Sequence, residues 1–141
     1  MHDLERARML LTEGSYASVL CRADVCYTSR GKGISPMLDW IGAGVELKGF
    51  CAADIIVGKA AAMLFVHAGV GAVYGRVMST AGKDYLTTHG VVCSYDILTE
   101  RIVNRTGDGV CPMEQTVSQL EDPQAAYAAL RRKRDEMRRK Q

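Results

Sequence analysis

The stretch FCAADIIVGKAAAMLFVH, from Phe50 to His67, decides how we interpret the fold of this chain. It consists mostly of Ala, Val, Ile, Leu, Met and Phe, and only Asp54 and Lys59 in it are formally charged. Such a run indicates a helix that is apolar on nearly all sides, which must be buried. It is too short and too interrupted to span a membrane. The stretch therefore predicts a central buried helix on which the rest of the chain packs.

The two charges in this predicted helix need partners, because an unpaired buried charge is strongly unfavourable. A binding site and a structural ion pair both supply such partners, and the sequence leaves the two open. Lys59 follows Asp54 by five residues, or about 140° around a helix, so the two cannot simply pair with each other. Gly58 costs a helix about 1 kcal/mol relative to Ala, which suggests that close packing or a ligand needs the space.

The composition is that of one soluble globular domain. The chain has 141 residues, of which 48% are hydrophobic and 24% charged, enough to build a core. The N-terminus lacks the apolar run of a secretory signal, and no stretch has the character of a membrane span, so we expect no membrane contact and a cytoplasmic location. Five cysteines without C-x-x-C spacing favour free thiols in a reducing compartment.

The formal net charge of +2 is unevenly distributed along the chain. Residues 131–140 contain seven basic and two acidic side chains and contribute +5, which leaves −3 for the other residues. This tail could contact nucleic acid, but no nucleic-acid-binding motif supports that, and a solvated terminal helix is the favoured interpretation. A junction near Glu121–Pro123 divides the chain into a domain at 1–121 and a basic helical appendage at 122–141.

The order of predicted elements indicates an α/β fold. Tyr16–Arg22 and Val25–Ser29 form a hairpin around the tight turn Ala23-Asp24. Helices and strands then alternate, which favours parallel pairing with helices on both faces of the sheet. Further strands are predicted at 72–78 and 91–95, and helices at 4–13, 35–42, 80–89, 112–120 and from 122 onward.

The beginning of the predicted central helix is the first candidate site. The unpaired N–H groups and positive dipole end of a helix favour anions. A thiol at the position of Cys51 would have a lowered pKa. Asp54 is either a carboxylate aimed at a ligand or a capping acid of the first turn.

The second candidate site is the segment NRTGDGVCPME, residues 104–114. Asn104 opens a polar loop in which Gly107 and Gly109 allow left-handed backbone angles, so that successive N–H groups can form an anion-binding nest. The loop is thus a candidate for ligand binding.

The end of the same segment predicts a helix start. Pro112 suits the first helical position, which makes Cys111 the cap, and Glu114 can reach back to the N–H of that cap. Cys111 is either a thiolate activated by the helix dipole, with Arg105 nearby, or a simple cap beside a surface arginine. No two histidines have a metal-ligand spacing, so no metal site is predicted.

Three segments resemble an uncharacterised family of small bacterial and archaeal proteins with a cytidine-deaminase-like fold. They are ADIIVGKAAAML (Ala53–Leu64), VCSY (Val92–Tyr95) and NRTGDGVCPME (Asn104–Glu114). The resemblance implies a three-layer α/β/α sandwich with a mixed sheet, whose first two strands are antiparallel and whose later strands are parallel.

The resemblance does not extend to zinc chemistry. A zinc deaminase has a His or Cys followed two residues later by Glu at the start of the helix after the hairpin, and P-C-x-x-C at the start of the next. With the helices as predicted, these places read Cys51–Asp54 and Ser79–Lys83, which do not supply a ligand set. We therefore expect no zinc and no other cofactor.

The resulting hypothesis is a metal-free site for a small anionic or nucleotide-like ligand. Lys59 and Arg105 would meet negative charge, Asp54 would hydrogen-bond a base or ribose, and Cys111 would act as nucleophile if the protein is an enzyme, which the sequence leaves open. The residues assigned to ligand binding are Cys51, Lys59, Asn104, Arg105, Gly107, Gly109 and Glu114, and those assigned to catalysis are Asp54 and Cys111. The alternative is a non-enzymatic scaffold that works through homo-oligomers or the basic tail, with a homodimer expected by analogy.

Overall fold

The computed structural model describes residues 2–103, 107 and 109–140. Its strands are β1 (Ser18–Arg22), β2 (Val25–Ser29), β3 (Cys51–Val57), β4 (Ala72–Ser79) and β5 (Val92–Thr99). They form one sheet in the order β2-β1-β3-β4-β5. Its helices are α1 (Asp3–Glu13), α2 (Ser35–Gly42), α3 (Lys59–Ala68), α4 (Thr80–Thr88), α5 (Pro112–Val117) and α6 (Pro123–Arg139).

The sheet is mixed, and the predicted pairing directions are confirmed. Strand β1 is antiparallel to β2 and to β3, whereas β3–β4 and β4–β5 are parallel. The hairpin turn is Ala23-Asp24, and Ala23 has a positive φ of 51°. The α/β class predicted from the alternating elements is therefore correct.

The prediction of one central helix over Phe50–His67 is wrong. The first half of that stretch is strand β3 and the second half is helix α3, with Gly58 between them in an extended conformation (φ −98°, ψ −170°). The β-branched residues Ile55, Ile56 and Val57 favour a strand, whereas the alanines that follow favour a helix. A buried strand in a parallel sheet is continuously apolar, so hydrophobic periodicity does not separate it from a buried helix.

Helices cover both faces of the sheet. On one face, Ala7 and Leu11 of α1 pack against Val19, Cys21 and Ala53. On the other face, α3 lies at the centre of a larger core and contacts α2, α4, α5 and α6. Residues 60–65 of α3 are all buried, so the burial predicted for the apolar stretch is confirmed in its helical half, whereas Ile56 in the strand half is 49% exposed.

The C-terminal helix α6 is packed on this larger core. Ala126 and Leu130 are fully buried within it, and Arg134 Nη1 lies 2.6 Å from Asp39 Oδ1 of α2. The division into a domain and an appendage at residue 122 stays a prediction, but the packing restricts any free tail to the residues after Arg134. Among the described residues, no helix has the length and apolar character needed to cross a bilayer.

Candidate functional site

The N-terminus of α3 is occupied by the carboxylate of Glu114. Lys59 N donates to Oε1 and Ala60 N donates to Oε2, both at 2.8 Å. The first N–H groups of a helix lack intrahelical partners and attract anions. Glu114 therefore has the position that an anionic ligand would take, and the prediction that it reaches back to the cap of its own helix is wrong.

Gly58 makes room for this carboxylate. A Cβ atom at residue 58 would lie 2.6 Å from Cδ and 2.9 Å from Oε2 of Glu114. Real Cβ atoms essentially never approach so closely. The absence of a side chain at Gly58, which the sequence linked to close packing or a ligand, thus allows a side chain of the same protein to cap α3.

Lys59 has a partner in the ion pair that the sequence left as one alternative. Its Nζ atom lies 3.2 Å from Glu121 Oε1 and 3.4 Å from the carbonyl oxygen of Ser118. The Lys59 side chain is 13% exposed and that of Glu121 is 79% exposed. Because the acid is largely in water, the pair contributes little to stability. Lys59 is held against the helices without being sealed from solvent.

Two clefts meet at Lys59. The first, here called the strand-end cleft, has a volume of about 270 Å³. It lies where β4 and β5 end and α3 begins, a position typical of ligand sites in open α/β sheets. It is lined by Lys59, Ser79, Ala81, Glu100, Arg101, Ile102, Val110, Glu114 and Ser118.

The second cleft, here called the α4 cleft, has a volume of about 260 Å³ and shares Lys59 and Ala81 with the first. Its other lining residues are Asp84, Tyr85, Thr88, His89 and Glu121. The Tyr85 hydroxyl donates to the carbonyl oxygen of Glu121 at 2.7 Å, and the two rings of Tyr85 and His89 stack with centroids 4.1 Å apart. These contacts hold the wall of the cleft in place.

The charges around Lys59 are nearly balanced. The strand-end cleft contains two bases, Lys59 and Arg101, and two acids, Glu100 and Glu114. Glu114 is already neutralised by the N-terminus of α3, and Lys59 by Glu121. Among the described lining residues, Arg101 and Glu100 are the remaining charges that can meet a ligand. This is not the strongly positive surface that a polyanion would require.

Asp54 lies in strand β3 and not at a helix N-terminus. Because no helix begins at Cys51–Asp54, the anion site predicted at this position is wrong. Its Oδ1 accepts from the N–H of Ile55 at 2.8 Å. Burial raises the pKa of Asp54 to about 8, although the N–H groups of Ile55 and Ile56 and the Ser18 hydroxyl oppose the rise. Asp54 lines neither of the two clefts, so the predicted convergence of Asp54 and Lys59 is not found.

Cys51 lies at the opposite end of β3 from Lys59, directly across from Cys21. Burial, and secondarily the charge of Asp3, raise the pKa of the Cys51 thiol. The expected lowering by a helix dipole is therefore wrong, because no helix begins at this position. Cys51 is remote from both clefts.

Cys111 caps α5, with Pro112 in the first turn as predicted. Its N–H donates to the carbonyl oxygen of Ile102 at 3.2 Å. The neighbouring Val110 lines the strand-end cleft, but Cys111 itself does not. The proposed role of Cys111 as a nucleophile stays a prediction.

The glycine-rich loop is described in part. Gly107 has the positive φ predicted for it, at 76°, while Asn104 and Arg105 lie outside the described residues. The assignment of Asn104, Arg105, Gly107 and Gly109 to ligand binding stays a prediction.

Sequence reasoning missed several lining residues. Ser79 is the last residue of β4, and Glu100 and Arg101 follow the end of β5. The signal was present, because polar residues directly after a parallel strand lie at the ligand-binding edge. The strand predicted at 91–95 stops short of Thr99, so the end of β5 was not recognised. In the described part of the chain, no group of three His, Cys, Asp or Glu side chains is placed to hold a metal.

A family model described as "Domain of unknown function (DUF1893)", TM1506, matches residues 6–134. The chain belongs to this family. The match includes all five strands and the part of α6 that packs on the core. The DUF1893 assignment thus agrees with the extent of the folded unit.

One solved structure supports the assignment at the level of the fold. It is a DUF1893 family protein (TM1506) from Thermotoga maritima, with a TM-score of 0.85 and 21% sequence identity, and the similarity covers 94% of this chain and 91% of that chain. At this identity the similarity concerns the fold alone. No curated protein matches this chain in sequence.

Proposed function

We propose that this DUF1893 protein binds a small polar molecule in the strand-end cleft. The observation that carries the proposal is the convergence of side chains from four separate segments at the carboxyl ends of parallel strands. These are Lys59 of α3, Ser79 of β4, Glu100 and Arg101 after β5, and Glu114 and Ser118 at α5. The α4 cleft has as many polar lining residues, but only the strand-end cleft lies at the edge of the sheet where ligand sites of α/β proteins are typically found.

The size and charge of the cleft restrict the ligand class. A volume of about 270 Å³ is just below the usual range for drug-sized ligands, and it fits a nucleobase- or amino-acid-sized group. The N-terminus of α3 is unavailable to a ligand because Glu114 occupies it. Arg101 is the base for one anionic group, and Glu100 accepts hydrogen bonds from the ligand. A nucleoside-like or singly charged molecule fits this set better than a polyphosphate.

The cytidine-deaminase-like fold is part of the proposal, supported by the element order and the mixed sheet. With the helices as observed, the zinc motifs would fall at the starts of α2 and α3. These starts read Ile34–Met37 and Gly58–Ala62, which contain neither cysteine nor histidine. The proposed site is accordingly metal-free. Cysteine chemistry at Cys111 remains an extension of it, to be tested by the reactivity of that thiol relative to the other four.

Thermal unfolding with a panel of compounds tests the binding proposal. Nucleosides, nucleoside monophosphates, amino acids and inorganic phosphate would each be added to the full chain. We expect at least one to raise the melting temperature, since a ligand at 100 times its Kd stabilises the folded state by about 2.7 kcal/mol. Arg101→Ala should abolish the shift, whereas Arg132→Ala, an exposed arginine on α6, should retain it. A panel without any shift, or a shift that survives Arg101→Ala, would refute the proposal.

Self-association is the second candidate function, because β5 is an edge strand with exposed apolar side chains. Val92, Ile97 and Leu98 are 68%, 56% and 41% exposed. An unpaired edge of this kind is a template for strand pairing, and a second copy can pair β5 with β5 about a two-fold axis. Contact of the basic tail with nucleic acid stays a prediction without such an observation.

Sedimentation equilibrium measures whether the chain self-associates in solution. We expect the wild-type chain to dimerise and Ile97→Lys to be monomeric. Ile56→Lys provides the control, because Ile56 is similarly exposed, at 49%, but lies on the central strand β3. A wild-type chain that is monomeric at all concentrations would exclude a scaffold that self-associates through the edge strand β5.

A further inference from the structure

Three cysteines form a row across neighbouring strands. The strand register places Cys21 of β1 opposite Cys26 of β2 on one side and opposite Cys51 of β3 on the other. Residues directly opposite in antiparallel strands have Cβ atoms about 4.5–5.5 Å apart on the same face, near the separation that a disulfide requires. All three are free thiols. Each adjacent pair is therefore close to bonding geometry.

Helix α1 places a guanidinium group beside this row. Nε and Nη2 of Arg6 are buried and have no hydrogen-bond partner among the described residues, and the carboxylate of Asp3 is 3.6 Å from Nη2. Arg6 is close enough to Cys21 to oppose the burial that raises the pKa of this thiol to about 11. The unused donors of this guanidinium can hydrogen-bond a sulfur atom beside it, which partly offsets the effect of burial on Cys21.

We infer that Cys21 and Cys26 form a thiol–disulfide exchange site that reacts with low-molecular-weight disulfides. The Cys26 thiolate attacks one sulfur of the small disulfide, which gives a mixed disulfide and releases one thiolate. The released thiolate accepts the proton of Cys21, and Cys21 then attacks the Cys26 sulfur, which expels the second thiolate and forms the Cys21–Cys26 bond. The protein loses two hydrogen atoms, and the small disulfide is reduced to two thiols.

The exposure of the two cysteines sets this order. Cys26 is half-buried, whereas Cys21 is fully buried. A disulfide in solution therefore meets Cys26 first, and Cys21 is the resolving thiol beneath it.

The surroundings favour Cys26 over Cys51 as the partner of Cys21. Arg6 interacts with both Cys21 and Cys26. Burial, and secondarily the negative charge of Asp3, raise the pKa of the Cys51 thiol, which disfavours its thiolate. The central Cys21 can bond to only one neighbour at a time.

Peptide mapping after oxidation tests the inference. The folded full chain would be treated with oxidised glutathione, quenched in acid, alkylated and digested with trypsin. Cleavage after Arg22 separates the two cysteines into peptides 9–22 and 23–30, so their bond appears as a linked pair. We expect this pair to be the dominant disulfide. Dominant bonds to Cys51, Cys93 or Cys111, or glutathione adducts without any internal bond, would overturn the inference.

Two comparisons separate a site built by the fold from mere proximity in sequence. In urea-unfolded protein, the share of the Cys21–Cys26 bond among all disulfides should fall several-fold, and an unchanged share would overturn the inference. Arg6→Gln should slow formation of the bond several-fold in the folded chain, whereas Arg132→Gln should leave the rate unchanged. Equal rates for Arg6→Gln and the wild type would remove Arg6 from the site. None of these outcomes depends on ligand binding in the strand-end cleft.

Discussion

At the scale of single residues, Gly58 leaves open the space that the Glu114 carboxylate occupies. A glycine between a buried strand and a buried helix is costly in backbone entropy. It is retained at a position where the carboxylate of Glu114 bonds two N–H groups of α3. The two residues are separated by more than fifty positions, so their relation depends on the fold and not on any local motif.

Replacement of Gly58 by alanine should therefore destabilise the protein. The new Cβ atom would displace Glu114 and break two charge-assisted hydrogen bonds, at a cost of about 1–3 kcal/mol. Chemical unfolding measures this loss. Gly71→Ala is the matched control, because a Cβ atom there meets nothing within 4 Å, and its effect should stay within about 0.5 kcal/mol.

A double-mutant cycle shows whether the loss arises from Glu114. In a Glu114→Ala background the cap is already absent, so Gly58→Ala should cost clearly less than in the wild type. Additive effects of the two substitutions would show that the glycine serves another purpose, such as the close approach of Gly82, where a Cβ atom would lie 3.0 Å from the Gly58 backbone.

At the scale of elements, local chemistry in the sequence predicted most of the fold. The two-residue turn at Ala23-Asp24 predicted the hairpin, and Asp122-Pro123 predicted the start of α6, where the Asp122 carboxylate accepts from Ala125 N. The division of 50–67 into β3 and α3 was missed because both halves are buried and apolar. That error also misplaced Cys51 and Asp54 at a helix start.

The candidate site was predictable only in part. Lys59 stood out as a charge in an apolar stretch and Glu114 as an acid at a helix start, and the structure brings them together. The other lining residues Ser79, Glu100 and Arg101 could be recognised only once the ends of β4 and β5 were known. The row of Cys21, Cys26 and Cys51 could be recognised only from the register of three strands, one of which had been predicted as a helix. A single sequence shows the chemistry of its residues, but it does not show which distant strands pair with each other.

Helix α6 should stabilise the whole domain through its buried side. Leu130 is fully buried in the larger core, so Leu130→Ala should reduce the free energy of unfolding by about 2–5 kcal/mol. Met137 lies on the same helix but is 38% exposed. Met137→Ala should therefore change the free energy of unfolding by less than about 0.5 kcal/mol. Urea unfolding of both variants checks this. Equal effects would mean that α6 is the loosely attached appendage that its basic composition suggests.

At the scale of the whole molecule, buried acidic groups should make stability depend on pH in one direction. Burial raises the pKa of Asp54 to about 8, from an ordinary value of 3.8. The folded state then binds more protons than the unfolded state between about pH 4 and 8, so the free energy of unfolding falls as the pH rises through that interval. Burial also raises the pKa values of the Cys21 and Cys51 thiols, which continues the decline in alkaline solution.

The Asp54→Asn variant isolates the contribution of this one carboxyl group. Wild-type protein should lose stability between pH 5 and pH 8 by an amount of the order of a few kcal/mol, measured by urea unfolding at each pH. Asp54→Asn keeps the shape without the ionisation, so its stability should vary less over this range and exceed that of the wild type at pH 8. Asp84→Asn, at an exposed position, should follow the wild-type curve. A stability difference between the wild type and Asp54→Asn that stays constant from pH 5 to pH 8 would show that Asp54 is already ionised in the folded protein and that a partner compensates its charge.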